Sequence, residues 1–548
     1  MENTEITDKE KSMLFWASFM ALMAAGVGFV FRGMIPTMWE DAFQITTEQV
    51  GSLTGAALWP IAVSMILFSL IVDKIGYRFS MFCAFTLQAI SVVLTINAQD
   101  YDSMFWACIC AGLGHGIVEA VINPLCATMY KDQKSKMLNI LHAAWPAGIV
   151  FGGICYIMFI GTGSDLKWEA AKWVFWIMLI PVLFYGIMFI LCKKFPVDER
   201  VENNVSYIEM LREFGGLGIF VAATFLFYEI TKHTPLDFGE QNKLVISIAV
   251  GGAIGLLAGL LLRSSGKFLF FLLCLIMIPL ATAEIATDGW IRTLMEPIMG
   301  ATGAAWALVL SAGIMMVLRF FAGVPLRFMN PPQLLLLSSV FSILGLYALS
   351  SVPAGPLIFG AFVLYAIGQT FYWPTVLGFV SEQFPKGGAM TLNTVSAMGL
   401  LTVGIFGFPF LGAVQTHYKT EALKAKEPAL VQTVIDNKTT FVDKTNPAEP
   451  EDKPIFEVKD FFGFKYDSIN TGEFVKLPEM TDERREVVTG TLESTSQSSL
   501  KVAAVLPAIM AVAFLLIIIW YKMRGGYKPV NLDPEAAETL KRAAASEL

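Results

Sequence analysis

Fourteen stretches of mainly apolar residues, each close to the length a helix needs to cross a bilayer, dominate this 548-residue chain. They lie near 13–38, 49–72, 79–98, 103–129, 138–161, 173–192, 215–231, 244–262, 268–287, 302–326, 332–350, 354–380, 389–414 and 499–521. In hydrocarbon every backbone N–H and C=O must be paired within the protein, and a long apolar run meets that demand as an α-helix. The predicted fold class is therefore all-α, a polytopic membrane protein. Composition agrees. Charged residues make up 16% of the chain, against roughly a quarter in soluble domains. That excludes a soluble enzyme and a disordered regulator. Net charge is −7 and no basic stripe exists for a nucleic acid. All seven cysteines fall in apolar runs, so no disulfide framework is expected. The opening MENTEITDKEKS lacks the form of a signal peptide, and the first run is expected to stay as an anchor.

Lysine and arginine orient the set. With the N-terminus in the cytoplasm, short inner segments hold eighteen of them; short outer segments hold Lys167, Lys172, Lys232, Lys243 and Arg292. The positive-inside rule then puts both termini in the cytoplasm. The expected plan is an N-terminal six-helix bundle (1–192), a basic cytoplasmic linker with two inserted helices (193–267), and five helices of a second bundle (268–414). An extracytoplasmic segment (415–498), a last helix (499–523) and a cytoplasmic tail (524–548) complete it. Leu138-Asn139 and Leu392-Asn393 each follow a basic inner loop and open corresponding helices, a faint parallel repeat. Parallel six-helix repeats are a transporter architecture with the solute site near the midplane. The 415–498 segment holds sixteen Asp/Glu and eleven Lys/Arg. Its 445–454 part, TNPAEPEDKP, reads as loose; 458–477 has enough aromatics for a small folded patch. It reads first as a solvated cap, and second as a module that captures a partner or substrate.

Two inner features carry chemistry. SLIVDKIGYR, residues 69–78, places Asp73, Lys74, Gly76 and Arg78 in a tight loop, with glycine allowing the turn. An anion at a helix C-terminus needs a cation, so this is a charged clasp that one conformation makes and another breaks. GLGHGIVEAVINPLCATMY, residues 112–130, buries Glu119 in mid-span, with Asn123 one turn on and Pro124 loosening the helix. A carboxyl there must be protonated, paired or wetted. Together these motifs resemble the major facilitator superfamily, whose usual loop is Gly-x-x-x-Asp-Arg-x-Gly-Arg. Ser69 replaces the first Gly and Tyr77 precedes the Arg. The second-half counterpart, Gly323 to Arg327, has lost the Asp. Glu-x-x-x-Asn-Pro resembles the fucose permease branch, proton-coupled sugar symporters of twelve helices. The resemblance implies two six-helix bundles working by alternating access. It also implies a proton on Glu119.

Further roles follow from the same resemblance. His142 stands where the branch has a sugar-contacting Gln; Glu284 matches a Gln or Glu facing the sugar. Asn123, Gln369, Tyr372 and Trp373 offer the amide and aromatic groups of a sugar site. By position along its helix, Asp288 is read as capping the outer end, and Arg319, near a cytoplasmic end, as an inner-gate residue. Arg32 replaces an Asp of the branch. It cannot release a proton. It pairs with Glu119 only if the helix bounds slip by a turn or two, and otherwise forks an anion or snorkels. Packing is the plain alternative for His142 and the aromatics.

The expected function is transport of a small polar solute, a sugar first, an organic anion or sugar acid held by Arg32 second, a transporter-like nutrient sensor third. No His, Cys or acid cluster has metal-ligand spacing and no nucleotide loop occurs, so neither enzyme chemistry, metal nor cofactor is expected. The expected partners are the solute, a proton or sodium ion, and the lipid of a plasma membrane (an inner membrane in a bacterium), with the chain acting as a monomer.

Overall fold

The computed structural model describes residues 6–532 except 44, 46, 162–166, 233–239, 353–354, 356 and 444–450. Most of the tail expected at 524–548, and residues 445–450 of the stretch read as loose, lie outside the described residues. Among the described residues, fourteen helices are long and apolar enough to span a membrane. The first six are α1 Asp8–Met34, α2 Gln49–Ile75, α3 Tyr77–Asn97, α4 Tyr101–Met129, α5 Lys131–Phe159 and α6 Trp168–Leu191. The inserted pair is α7 Tyr207–Thr231 and α8 Asn242–Leu262. The remainder are α9 Phe268–Gly289, α10 Ile298–Arg327, α11 Pro331–Leu349, α12 Leu357–Gln383, α13 Pro385–Lys426 and α14 Leu500–Met523.

The helix ends are chemically specified. Thr7 and Glu10 form a capping box at α1, Asp100 and Ser103 one at α4, and Asn330 and Gln333 one at α11. α7 begins at Tyr207, well before the apolar run at 215–231, because its first two turns are amphipathic. Gly215, at φ +61°, breaks it there, and Gly216 N–H then bonds Ser264 O at 3.0 Å. α7 and α8 meet through glycines. A Cβ on Gly216 would lie 2.7 Å from the Gly255 carbonyl oxygen, and one on Gly251 would lie 2.1 Å from Thr224 Oγ1. α7 packs on α9 and α13, whereas α8 packs on α7 and leaves Leu256, Leu257, Leu260 and Leu261 facing outward.

Two helices carry a π-helical turn, at Thr282–Ala286 in α9 and Val403–Gly407 in α13. The turns pack together, and a Cβ on Gly407 would lie 2.8 Å from Ala286 Cβ.

α13 continues through 414 to Lys426. Beyond it the chain builds a small domain. Two antiparallel hairpins, β1 Thr440–Asp443 with β2 Glu451–Pro454 and β3 Phe456–Phe461 with β4 Phe464–Ile469, join helices Pro428–Asp436 and Asp482–Ser498. Leu430, Val434, Ile455, Ile469, Phe474 and Val488 form its own core. The stretch read as loose is corrected in its last four residues, which pair in β2. Phe461 and Phe462, at the β3–β4 turn, pack on Phe406 and Phe410 of α13, and Phe462 also on Tyr228 of α7.

Candidate functional site

A cavity of about 740 Å³ lies between the halves, away from the lysine-rich loops. Arg32, Gln88, His115 and Trp145 line it from the first bundle, Glu229 from α7, and Gly289, Gly404 and Phe408 from the second bundle. The His115 ring stacks on Trp145, centroids 5.5 Å apart.

Below this cavity α4 and α5 hold a polar chain. Glu119 is buried, and its Oε2 accepts from Asn123 Nδ2 at 2.6 Å. Asn123 Oδ1 lies 2.9 Å from His142 Nε2. On the cavity side His115 Nε2 stands 3.7 Å from Glu119 Oε1, longer than a hydrogen bond. The structure thus joins Glu119, Asn123 and His142. Sequence reasoning misses His115, although its place one helical turn before Glu119 is visible there.

The second bundle holds a different carboxylate arrangement. Arg319 Nη2 pairs with Glu284 Oε1 at 2.6 Å, and both side chains are buried. Arg319 Nε donates to Thr370 O at 2.6 Å and Nη1 to His142 O at 2.9 Å. Both carbonyls need a donor for one reason: proline lacks an N–H, and Pro374 and Pro146 follow them by four residues. One guanidinium thereby closes two proline breaks and ties the bundles together. α12 breaks at Thr370–Phe371, and the freed Trp373 N–H donates to Glu284 Oε2 at 3.1 Å. Asp288 accepts from Gln369 Nε2 at 2.8 Å and Tyr365 Oη at 3.1 Å, so its side chain turns inward instead of capping the helix. Tyr372 is fully buried beside them.

Arg32 does not pair with Glu119. Its Nη1 donates to Gly28 O at 3.2 Å and its guanidinium lies 6.0 Å from the Phe175 ring. The expected clasp takes a different partner. Asp73 pairs with Arg200 of the linker, Lys74 lies over the Tyr207 ring at 5.5 Å, and Arg78 donates to the Cys192 and Lys193 carbonyls. Gly76 turns at φ +82°. Lys134 pairs with Glu199 at 2.5 Å, so the short turn Glu199–Glu202 is fastened to both the α2–α3 and α4–α5 connections. At the same end Ser135 donates to Glu382, and Asn139 Nδ2 donates to Thr375 Oγ1 at 3.1 Å. The lysine-rich end is thus bonded shut across the bundles.

The sequence model of the Major Facilitator Superfamily matches residues 14–408. The chain belongs to this superfamily. It is a multi-pass membrane transporter, not an enzyme, and its cargo is a small molecule. Solved structures share the major facilitator fold. The E. coli fucose:proton symporter is 13% identical with a TM-score of 0.52, covering 92% of this chain and 98% of its own. A proton:xylose symporter bound to a bromodeoxyglucose is 14% identical with a TM-score of 0.54, covering 77% and 91%. The human organic anion transporter MFSD10 is 10% identical with a TM-score of 0.53, covering 92% and 99%. At these identities the likeness shows the fold alone.

Proposed function

We propose that this major facilitator protein is a proton-coupled symporter that brings a small sugar into the cell across the plasma membrane, with both termini cytoplasmic and Glu119 carrying the proton. One contrast supports the reading. Of the two buried carboxyls singled out in the sequence, Glu284 is held by the fixed charge of Arg319. Glu119 faces only Asn123 and two imidazoles among its described polar neighbours. Arginine keeps its proton at any working pH and imidazole passes one on, so the reading places the mobile proton among Glu119 and its histidine neighbours. In this orientation the cavity faces outward and the bonded lysine-rich end is the closed inner gate. Asn123, His142, Glu284, Gln369, Tyr372 and Trp373 are sugar contacts in the reading. Several are bonded to one another here, so they meet solute after the bundles rock. Asp73, Lys74, Gly76, Arg78 and Arg319 work the gate.

A second reading, a sugar acid or other organic anion, is favoured by Arg32. It lines the cavity, and no ion pair for it occurs among the described residues. A guanidinium in that setting suits a carboxylate.

Uptake into liposomes decides between them. Neutral sugars and sugar acids are offered with and without an inward proton gradient, and with sodium as the alternative ion. Gradient-driven sugar uptake that Glu119→Gln abolishes, with exchange retained, supports the symporter. Uptake confined to acids and lost in Arg32→Gln supports the anion carrier. No flux with any solute sinks both and favours a sensor.

A further inference from the structure

A second large cavity, about 730 Å³, lies outside the transport path, at the lysine-rich end where the inserted pair meets the second bundle. Its polar rim is basic. Lys267 opens α9, Lys386 opens α13, and Arg524 follows α14; the acid on the rim is Glu213 of α7. Glu213 lies 3.6 Å from Lys267 Nζ and Glu209 of α7 is within electrostatic reach of Lys386, so three rim cations meet two acids. Arg524 is steadied by its own helix, its guanidinium 4.3 Å over the Trp520 ring. The wall running from this rim toward the bilayer is apolar: Phe268, Leu269, Leu272, Leu516 and Ile517. Phe268 is 70% exposed and Leu516 61%. A wall this apolar is not met by water inside a membrane; it is met by acyl chains.

We infer that this groove is a binding site for an anionic phospholipid, with the headgroup phosphate among Lys267, Lys386 and Arg524 and the acyl chains along α9 and α14. Charge complementarity selects the occupant. A zwitterionic lipid would fill the apolar wall equally well but leave the rim's excess positive charge unanswered, and basic pockets between membrane helices recognise acidic headgroups. A soluble phosphate would meet the rim and leave the wall empty. The lipid would sit against α7, α9 and α14 together, and so bridge the inserted pair to the second bundle.

The test is native mass spectrometry of the full-length chain in detergent with dioleoyl phosphatidylglycerol or dioleoyl phosphatidylcholine. The expected result is at least five-fold more retained phosphatidylglycerol than phosphatidylcholine. Lys386→Gln with Arg524→Gln brings the two to the same level. Lys9→Gln with Lys136→Gln, which removes equal charge at the same end, leaves the preference intact. Leu516→Trp, which fills the groove, lowers retention of both lipids without touching a charge, and so tests the site even if the double variant folds poorly. Glycerol phosphate fails to compete. Equal retention of both lipids, the same loss in the charge-matched control, full retention in Leu516→Trp, or displacement by glycerol phosphate would each overturn the assignment.

Discussion

Asn393 Nδ2 donates to the carbonyl oxygen of Ala120 at 3.0 Å, across the interface between the two bundles. That carbonyl is available because the residue four positions on is Pro124, which has no N–H to offer it. The same amide also reaches Ser69 Oγ at 2.8 Å. Asn139, its counterpart in the first bundle, reaches the opposite way to Thr375. The two asparagines of the faint repeat are therefore reciprocal cross-ties of the closed end.

Removing a tie should favour opening. Asn393→Ala is expected to weaken the closed lysine-rich end by about 1 kcal/mol, an ordinary net hydrogen bond. Spin-label distances across that end should show a several-fold rise in the open population. In a Pro124→Ala background the effect of Asn393→Ala should shrink, because the substituted residue has an N–H that supplies the Ala120 carbonyl from within the helix. An unchanged effect would mean the proline-freed carbonyl is not what Asn393 serves.

Arg319 and Glu284 form the most enclosed ion pair described. Arg319→Met leaves a buried carboxylate alone and should cost about 3–5 kcal/mol, read as a large drop in melting temperature. Adding Glu284→Leu should recover much of that loss while transport stays absent, since the two carbonyls freed by proline still lack their donor.

Asp198 gives the linker a pH dependence. Burial pushes its carboxyl up to about 6, and the neighbouring Asp73 carboxylate adds to the rise. A released linker would expose Asp198 at about 3.9. Between these values the docked form holds a proton that the released form gives up. Docking is therefore strongest in acid and weakens as pH rises from about 4 through 6. Hydrogen exchange over 198–206 should speed up across that window. Asp198→Asn, which keeps the oxygen that caps Arg200 N–H, should remove the dependence and hold the linker docked at neutral pH.

The two π-helical turns meet where side chains have no room. Gly407→Val should force α13 from Ala286 by overpacking, at about 1–3 kcal/mol. Gly404→Val is the control in the same turn, with open space at its Cβ. The melting temperature should fall in the first and stay near the parent's in the second, where the added side chain enters the cavity instead of a packed contact; equal behaviour would deny the contact a role.

The spans were readable because hydrocarbon imposes one length and one polarity on every crossing. The domain that follows α13 was readable in part: the aromatic stretch 458–477 announced a folded patch, which β3 and β4 supply, whereas β2 falls in the acidic stretch read as loose and its four-residue pairing with β1 has no alternating pattern to reveal it. The loop 69–78 announced a clasp, yet Arg200 lies far along the chain in a stretch with no periodicity to flag it. Glu119 stood out as a lone acid in an apolar helix. Arg319 and Glu284 stood out equally, but no spacing within one helix reveals a bond between α9, α10, α12 and α5.

The additions to the twelve-helix plan share one allegiance. The inserted pair rests on α9 and α13, and the domain that follows α13 settles on α10 and α13. Among the described residues, most helix contacts of this extra mass are with the second bundle, and Tyr207, which bonds Leu70 O, reaches the first. A rocking machine tolerates cargo bolted to one jaw far better than a strap across both. The heavier jaw becomes a handle: a binder fixed to the domain that follows α13 would report the stroke without jamming it.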